Sequence, residues 1–132
     1  MATTNVFRHL TAEKEYKSIS ADTTLTVSDT GKTILLDAVG EAITLPAVGA
    51  GLSYKFLCTA DVITSAWTIT AASKVISGSA QVAGAVVAAS DETTITLVIA
   101  KFLPGDWITL ESDGTNWYVA GSVVTAAGCT FA

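Results

Sequence analysis

After Lys17 no stretch of the chain sustains an apolar stripe at i, i+3, i+4, i+7 over three helical turns. From Leu25 the pattern is instead one of short apolar runs between turn signals, which is the signature of an all-β domain. The runs are Leu25–Ser28, Lys32–Asp37, Ala42–Leu45, Ser53–Ala60, Trp67–Ala71, Val75–Ile76, Val82–Ala88, Thr93–Phe102, Trp107–Glu111 and Asn116–Ala120. Asp29-Thr30-Gly31 and Asp113-Gly114 supply residues that tolerate positive φ. Pro46 and Pro104 lack an N–H and end strands.

Composition agrees with strands. There are 20 threonines with many Val and Ile, all stiff at χ1 and suited to a pleated surface. The 21 alanines sit among Gly, Ser and Val rather than in helical patterns. No long helix alternates with the strands, so a parallel α/β sheet is not expected. The spacing predicts an antiparallel β-sandwich or barrel, jelly-roll-like, with under about 15% helix. Trp107–Glu111 and Asn116–Ala120, joined through Ser112-Asp113-Gly114-Thr115, form the clearest hairpin. Period-2 alternation puts Trp117 and Val119 on one face and Tyr118 on the other. Thr94–Ile99 begins in alternation and becomes wholly apolar, as in a strand buried on both faces at its end. Ser79–Ser90, rich in Ala, Gly and Val, reads equally as a packed strand pair or as a loop.

Residues 1–20 differ from the rest and read as an N-terminal arm, leaving residues 21–132 as one β-domain. The arm holds His9, the chain's one histidine, and a mixed charge run. Its three basic residues against two acidic ones give about +1, leaving about −6 for the remainder of a chain with net charge −5. Phe7, Leu10 and Tyr16 are apolar anchors in a polar background, and Arg8, Lys14 and Lys17 are the charges able to meet acidic groups on a neighbour. These six residues are the candidate contact site.

The classes excluded are several. An acidic chain without a basic cluster is a poor nucleic-acid binder. No apolar run approaches the roughly 20 residues of a membrane span, and the N-terminus has no apolar h-region. A lone histidine without CxxC or HxxxH spacing gives no zinc site, and Gly49-Ala50-Gly51 lacks the GK[ST] of a phosphate loop. Asp29-Thr30-Gly31 matches an aspartic-protease triplet in one copy only, and reads as a turn. Asp91-Glu92 is a polar hairpin tip rather than a calcium cage. Cys58 and Cys129 read as small buried hydrophobes, with one disulfide between them as the alternative. Neither catalysis nor a cofactor is expected.

Thr-x-Thr recurs at Thr24-Leu25-Thr26, Thr68-Ile69-Thr70 and Thr94-Ile95-Thr96. Regular ranks of this triplet on a flat solenoid face bind ice. Here the gaps of 44 and 26 residues are unequal, so no β-solenoid is expected, and half-buried strands account for the triplets.

Two stretches carry a resemblance. Ala42-Ile-Thr-Leu-Pro-Ala-Val-Gly-Ala-Gly-Leu-Ser-Tyr-Lys-Phe56 and Pro104-Gly-Asp-Trp-Ile-Thr-Leu-Glu-Ser-Asp-Gly-Thr-Asn-Trp-Tyr-Val119 are similar to small virion proteins of tailed bacteriophages, in capsid decoration (cement) proteins and in β-modules of fibres. The resemblance spans roughly Thr24 to Gly121 and leaves the arm outside. It implies a decoration protein bound to the major capsid protein on the outside of the head, assembled in the host cytoplasm. It further implies a homo-oligomer, most simply a trimer. A fibre or baseplate module that binds a host receptor glycan is the alternative, and fibre proteins are usually much longer than this chain.

Overall fold

The computed structural model describes residues 15–61 and 63–132. Twelve strands follow in chain order: β1 (Tyr16–Ser18), β2 (Thr23–Thr24), β3 (Thr33–Leu36), β4 (Ala42–Thr44), β5 (Ser53–Cys58), β6 (Trp67–Thr70), β7 (Ile76–Val82), β8 (Ala85–Glu92), β9 (Thr94–Leu97), β10 (Trp107–Ser112), β11 (Trp117–Val123) and β12 (Cys129–Phe131). Strands hold 49% of the described residues and helix 3%, so the all-β expectation and its ceiling on helix are met. The strands form a seven-stranded sheet, β1-β3-β5-β10-β11-β7-β8, packed on a five-stranded sheet, β12-β9-β6-β4-β2.

The sheets are mixed rather than purely antiparallel. The first six strands alternate between the two sheets, and each lies parallel to the preceding strand of its own sheet. The N-terminal half therefore winds as a short β-solenoid, contrary to the expectation from triplet spacing. Its regularity is in the coil and not in the residue count. Register steps run 17 then 22 residues in one sheet (Tyr16↔Thr33↔Lys55) and 20 then 26 in the other (Thr23↔Ile43↔Ile69). Turns of unequal length absorb the difference. The second half closes the sandwich with antiparallel pairs, β10 between β5 and β11, and β9 between β6 and β12.

The core lies between the inner faces. Ile34, Phe56, Ile108 and Leu110 of the larger sheet and Ile43, Ile69, Ile95 and Leu97 of the smaller are wholly buried. Each such side chain contributes about 1.5–3 kcal/mol on leaving water. The buried aromatics satisfy their polar ends. Tyr54 Oη donates to the Thr26 carbonyl at 2.7 Å, and Trp67 Nε1 donates to the Asp37 carbonyl at 3.2 Å. The Tyr54 and Trp117 rings pack at 5.8 Å between centroids.

Several segments depart from the sequence reading, each for a local reason. Leu25–Ser28 is not a strand: Val27–Asp29 is a 3₁₀ turn, because the Asp29 carboxylate accepts from the Thr26 N–H at 3.0 Å and closes a capping box. The expected strand Thr93–Phe102 ends at Leu97. Lys101 and Phe102 both donate to the Val98 carbonyl, turning the chain so that Ile99 is exposed while Phe102 is buried. Ser79–Ser90 resolves as strands, the β7–β8 hairpin. The hairpin at Ser112–Thr115 forms as expected, with Asp113 Oδ1 accepting from Thr115 N–H at 2.8 Å and Asn116 N–H at 2.9 Å. Strand β1 and the buried Ile19 fall within the stretch read as arm, so the sheet begins before residue 20.

Candidate docking face

Of the six residues singled out in the sequence, Phe7, Arg8, Leu10 and Lys14 lie outside the described residues, as does His9. Tyr16 and Lys17 are on β1, and alternation sends them to opposite faces. Tyr16 is 61% exposed on the outer face of the seven-stranded sheet.

Lys17 is engaged within the fold. Its Nζ lies 3.1 Å from Oδ1 and 3.3 Å from Oδ2 of Asp29, and Lys32 Nζ reaches the same Oδ1 at 3.2 Å. Asp29 is 4% exposed. Burial alone pushes its carboxyl up. The Thr26 N–H, the two ammonium groups and the Thr26 hydroxyl outweigh burial and bring the pKa down from 3.8 to about 2. The Asp29-Thr30-Gly31 triplet thus carries an ionised structural carboxylate with cations as partners, not a proton-sharing acid pair.

The outer face of the larger sheet gathers side chains far apart in sequence. Register aligns Ser18, Leu35, Leu57, Trp107, Ser122, Gln81 and Val86 in one cross-strand row. The next row runs Tyr16, Thr33, Lys55, Thr109 and Ala120. Leu35, Leu57 and Trp107 are half-buried, and Val86 is exposed. Lys55 Nζ sits over the Trp107 ring, 5.3 Å from its centroid, a contact worth about 0.5–1 kcal/mol at an exposed site. Within the row Leu35, Leu57 and Trp107 form an apolar strip with one adjacent cation, and β1 lies along its margin. Sequence reasoning missed it because strands β3, β5 and β10 are not neighbours in the chain. The alternation in Ser53–Cys58 and Trp107–Ser112 was the available signal.

The terminal aromatics do not form a sugar platform. Trp117 is wholly buried and Val119 nearly so, while Tyr118 is exposed and donates to Asp113 Oδ2 at 3.1 Å. Trp107 lies on the outer face, away from Trp117. A cavity of about 140 Å³ beside Trp117 is lined mainly by apolar groups of Pro46, Val48, Ala72 and Val75, together with Ser73.

The five-stranded sheet presents a different outer face. Register brings Thr24, Thr44, Thr70 and Thr94 into one rank, and Thr68, Thr96 and Thr130 into the next beside Ala42. The Thr70 and Thr94 hydroxyls lie 3.5 Å apart and bond to each other. Ile69 and Ile95, between the threonines, point into the core. Two of the three triplets, at Thr68–Thr70 and Thr94–Thr96, are half-buried strands as expected, whereas Thr24 ends β2 and Thr26 caps the 3₁₀ turn. The cross-strand pairs stabilise the sheet by about 0.2–1 kcal/mol each.

Cys58 and Cys129 are free thiols and both are buried. Burial pushes the Cys129 thiol up to about 12 and raises that of Cys58 as well. Among the described residues no group of three or more His, Cys, Asp or Glu could hold a metal ion. The chain matches no protein-family model and no curated protein.

Proposed function

We propose that this chain is a capsid decoration protein of a tailed bacteriophage, bound through the outer face of its seven-stranded sheet to the major capsid protein on the surface of the head. The observation that carries this reading is the apolar row Leu35–Leu57–Trp107, with Tyr16 and Lys55 beside it, displayed on the outer face of the seven-stranded sheet. Half-buried aromatic and aliphatic anchors within a polar rim suit a protein partner. The resemblance of residues 42–56 and 104–119 to phage virion β-domains supplies the partner class. Decoration of this kind needs no catalysis and no cofactor. Binding across joints between capsid subunits stabilises the shell by mass action. Residues 1–14, with Phe7, Arg8, Leu10 and Lys14, extend the contact from the β1 margin in this reading.

The test is co-sedimentation of the purified protein with undecorated heads built from the major capsid protein encoded in the same genome. Leu57→Glu and Trp107→Glu should weaken attachment at least about tenfold while the far-UV spectrum is kept. Deletion of residues 1–14, which spares β1 and Lys17, should weaken attachment without unfolding the domain. Unchanged occupancy by both point variants would overturn the proposed face. Failure to bind heads, with binding to host-surface glycan instead, would replace decoration by the fibre-module reading.

A further inference from the structure

The two edges of the seven-stranded sheet are built differently. An edge strand offers unpaired N–H and C=O groups to any other strand, and proteins blunt this by shortness, charge, proline or inward-pointing charged residues. Edge β1 uses two of these devices, being three residues long and turning Lys17 toward Asp29. Edge β8 uses none over most of its length. It runs eight residues, has no proline, and the hairpin it belongs to carries no charged residue from Val75 to Ser90. Val86 on it is 68% exposed. Among the described residues nothing pairs with its outer side.

Backbone geometry says which groups are free. The pair Val82↔Ala85 closes the two-residue turn at Ala83-Gly84 and sets the antiparallel pattern with β7. Ala85, Val87 and Ala89 bond to β7, and Val86, Ala88 and Ser90 turn their N–H and C=O groups outward. At Asp91, with φ +54, a bulge ends the flat stretch.

We propose that β8 pairs antiparallel with β8 of a second copy of this chain, across a twofold axis at Ala88. The strand is complementary to itself in this register. Ala88 meets the partner's Ala88, and Val86 meets the partner's Ser90, so uncharged residues of modest size face each other where the backbones bond. Asp91 and Glu92 fall opposite the partner's Ala85 and Gly84, so no like charges are opposed. The two seven-stranded sheets become one, and the exposed Val86 is covered at the seam. A threefold ring, as the resemblance implies, could use this edge only by joining β8 to the three-residue β1, which leaves more than half of β8 unpaired. The pairing is independent of the capsid reading and stands if the partner is not a capsid.

The experiment uses the full chain. Analytical ultracentrifugation across a concentration series should show twice the 13.5 kDa chain mass. Amide hydrogen exchange at the same concentrations should show Val86, Ala88 and Ser90 slowed about tenfold or more relative to dilute protein, and Val87 and Ala89 unchanged. Ala88→Lys should give a monomer with an unaltered far-UV spectrum. Ala88→Pro, which removes only an outward N–H, should do the same. If the proline variant fails to fold, the lysine variant decides. A monomer at every concentration, a threefold mass, an oligomer whose Val86, Ala88 and Ser90 amides exchange freely, or undiminished association of Ala88→Lys would each overturn the proposal.

Discussion

Lys17 holds its ammonium 3.1 Å from the buried carboxylate of Asp29, twelve residues along the chain, and so ties the first strand to the 3₁₀ turn beneath the core. The pair is more than a surface contact, because Asp29 also caps Thr26 and takes a second cation from Lys32. Its folded pKa, about 2 against 3.8, makes it a source of acid sensitivity. A carboxyl depressed in the folded state contributes its full stabilisation above the unfolded pKa and loses it as pH falls through the folded one. That contribution is about 2 kcal/mol, present above about pH 4 and gone below about pH 2. Asp29→Asn should therefore cost about 2–3 kcal/mol at pH 7 and far less at pH 2. Urea midpoints measured at both pH values check this, and parallel stability curves for the two proteins from pH 7 to 2 would refute it.

The β7–β8 hairpin turns on Ala83 at φ +52 followed by Gly84 at φ +78. Both central residues are left-handed, as a type I′ turn requires, and alanine is a poor choice for the first. Ala83→Asn, which creates an Asn-Gly turn, should stabilise the fold by about 0.5–1 kcal/mol. Thermal melts of the two proteins at equal concentration give the difference, and a variant melting lower than the parent contradicts the turn assignment.

Gly78 sits at φ +127 in β7, and a Cβ there would collide with the Val119 carbonyl of the neighbouring strand. A backbone atom held in a sheet cannot give way. Gly78→Ala should cost about 2–4 kcal/mol, through overpacking and strain together. Gly84→Ala, at φ +78 near the left-handed helical region and with open space around it, should cost only about 1 kcal/mol. Chemical denaturation separates the two, and equal losses would show that conformation rather than the close approach sets the cost.

Much of the fold was legible because alternation survives locally. Trp107–Glu111 and Asn116–Ala120 read as a hairpin from their turn residues, and Trp117 and Tyr118 went to the faces that period 2 assigns. What failed was longer in range or subtler in chemistry. Thr26 and Asp29 look like strand and turn residues, yet their side chains cap a 3₁₀ turn and divert the backbone. The solenoid half was invisible because strands aligned in space stand 17 to 26 residues apart in the chain. The row Leu35–Leu57–Trp107 depends on that alignment, so the proposed face could not be assembled from spacing. Strand β12 was missed because Cys129–Phe131 is too short to show a period.

The two cysteines yield the last prediction. Cys58 and Cys129 are 2% and 1% exposed, one in each sheet. The thiolate is the reactive species, and a thiol with pKa about 12 is ionised in only about one molecule in ten thousand at pH 8. Cys58 is raised too, chiefly by burial, and its Sγ lies 3.5 Å from the Phe102 carbonyl. A thiol reagent at pH 8 should therefore label neither cysteine in the folded protein and both in urea. Cys129 belongs to the buried apolar core, and burial is what raises its thiol. Cys129→Ala should cost about 1 kcal/mol for the lost sulfur contacts, and Cys129→Ser about 1–2 kcal/mol more for an unpaired hydroxyl. Rapid labelling of the native protein, or a serine variant as stable as the alanine one, would mean that Cys129 is reached by solvent and that the seam between β12 and β9 is open.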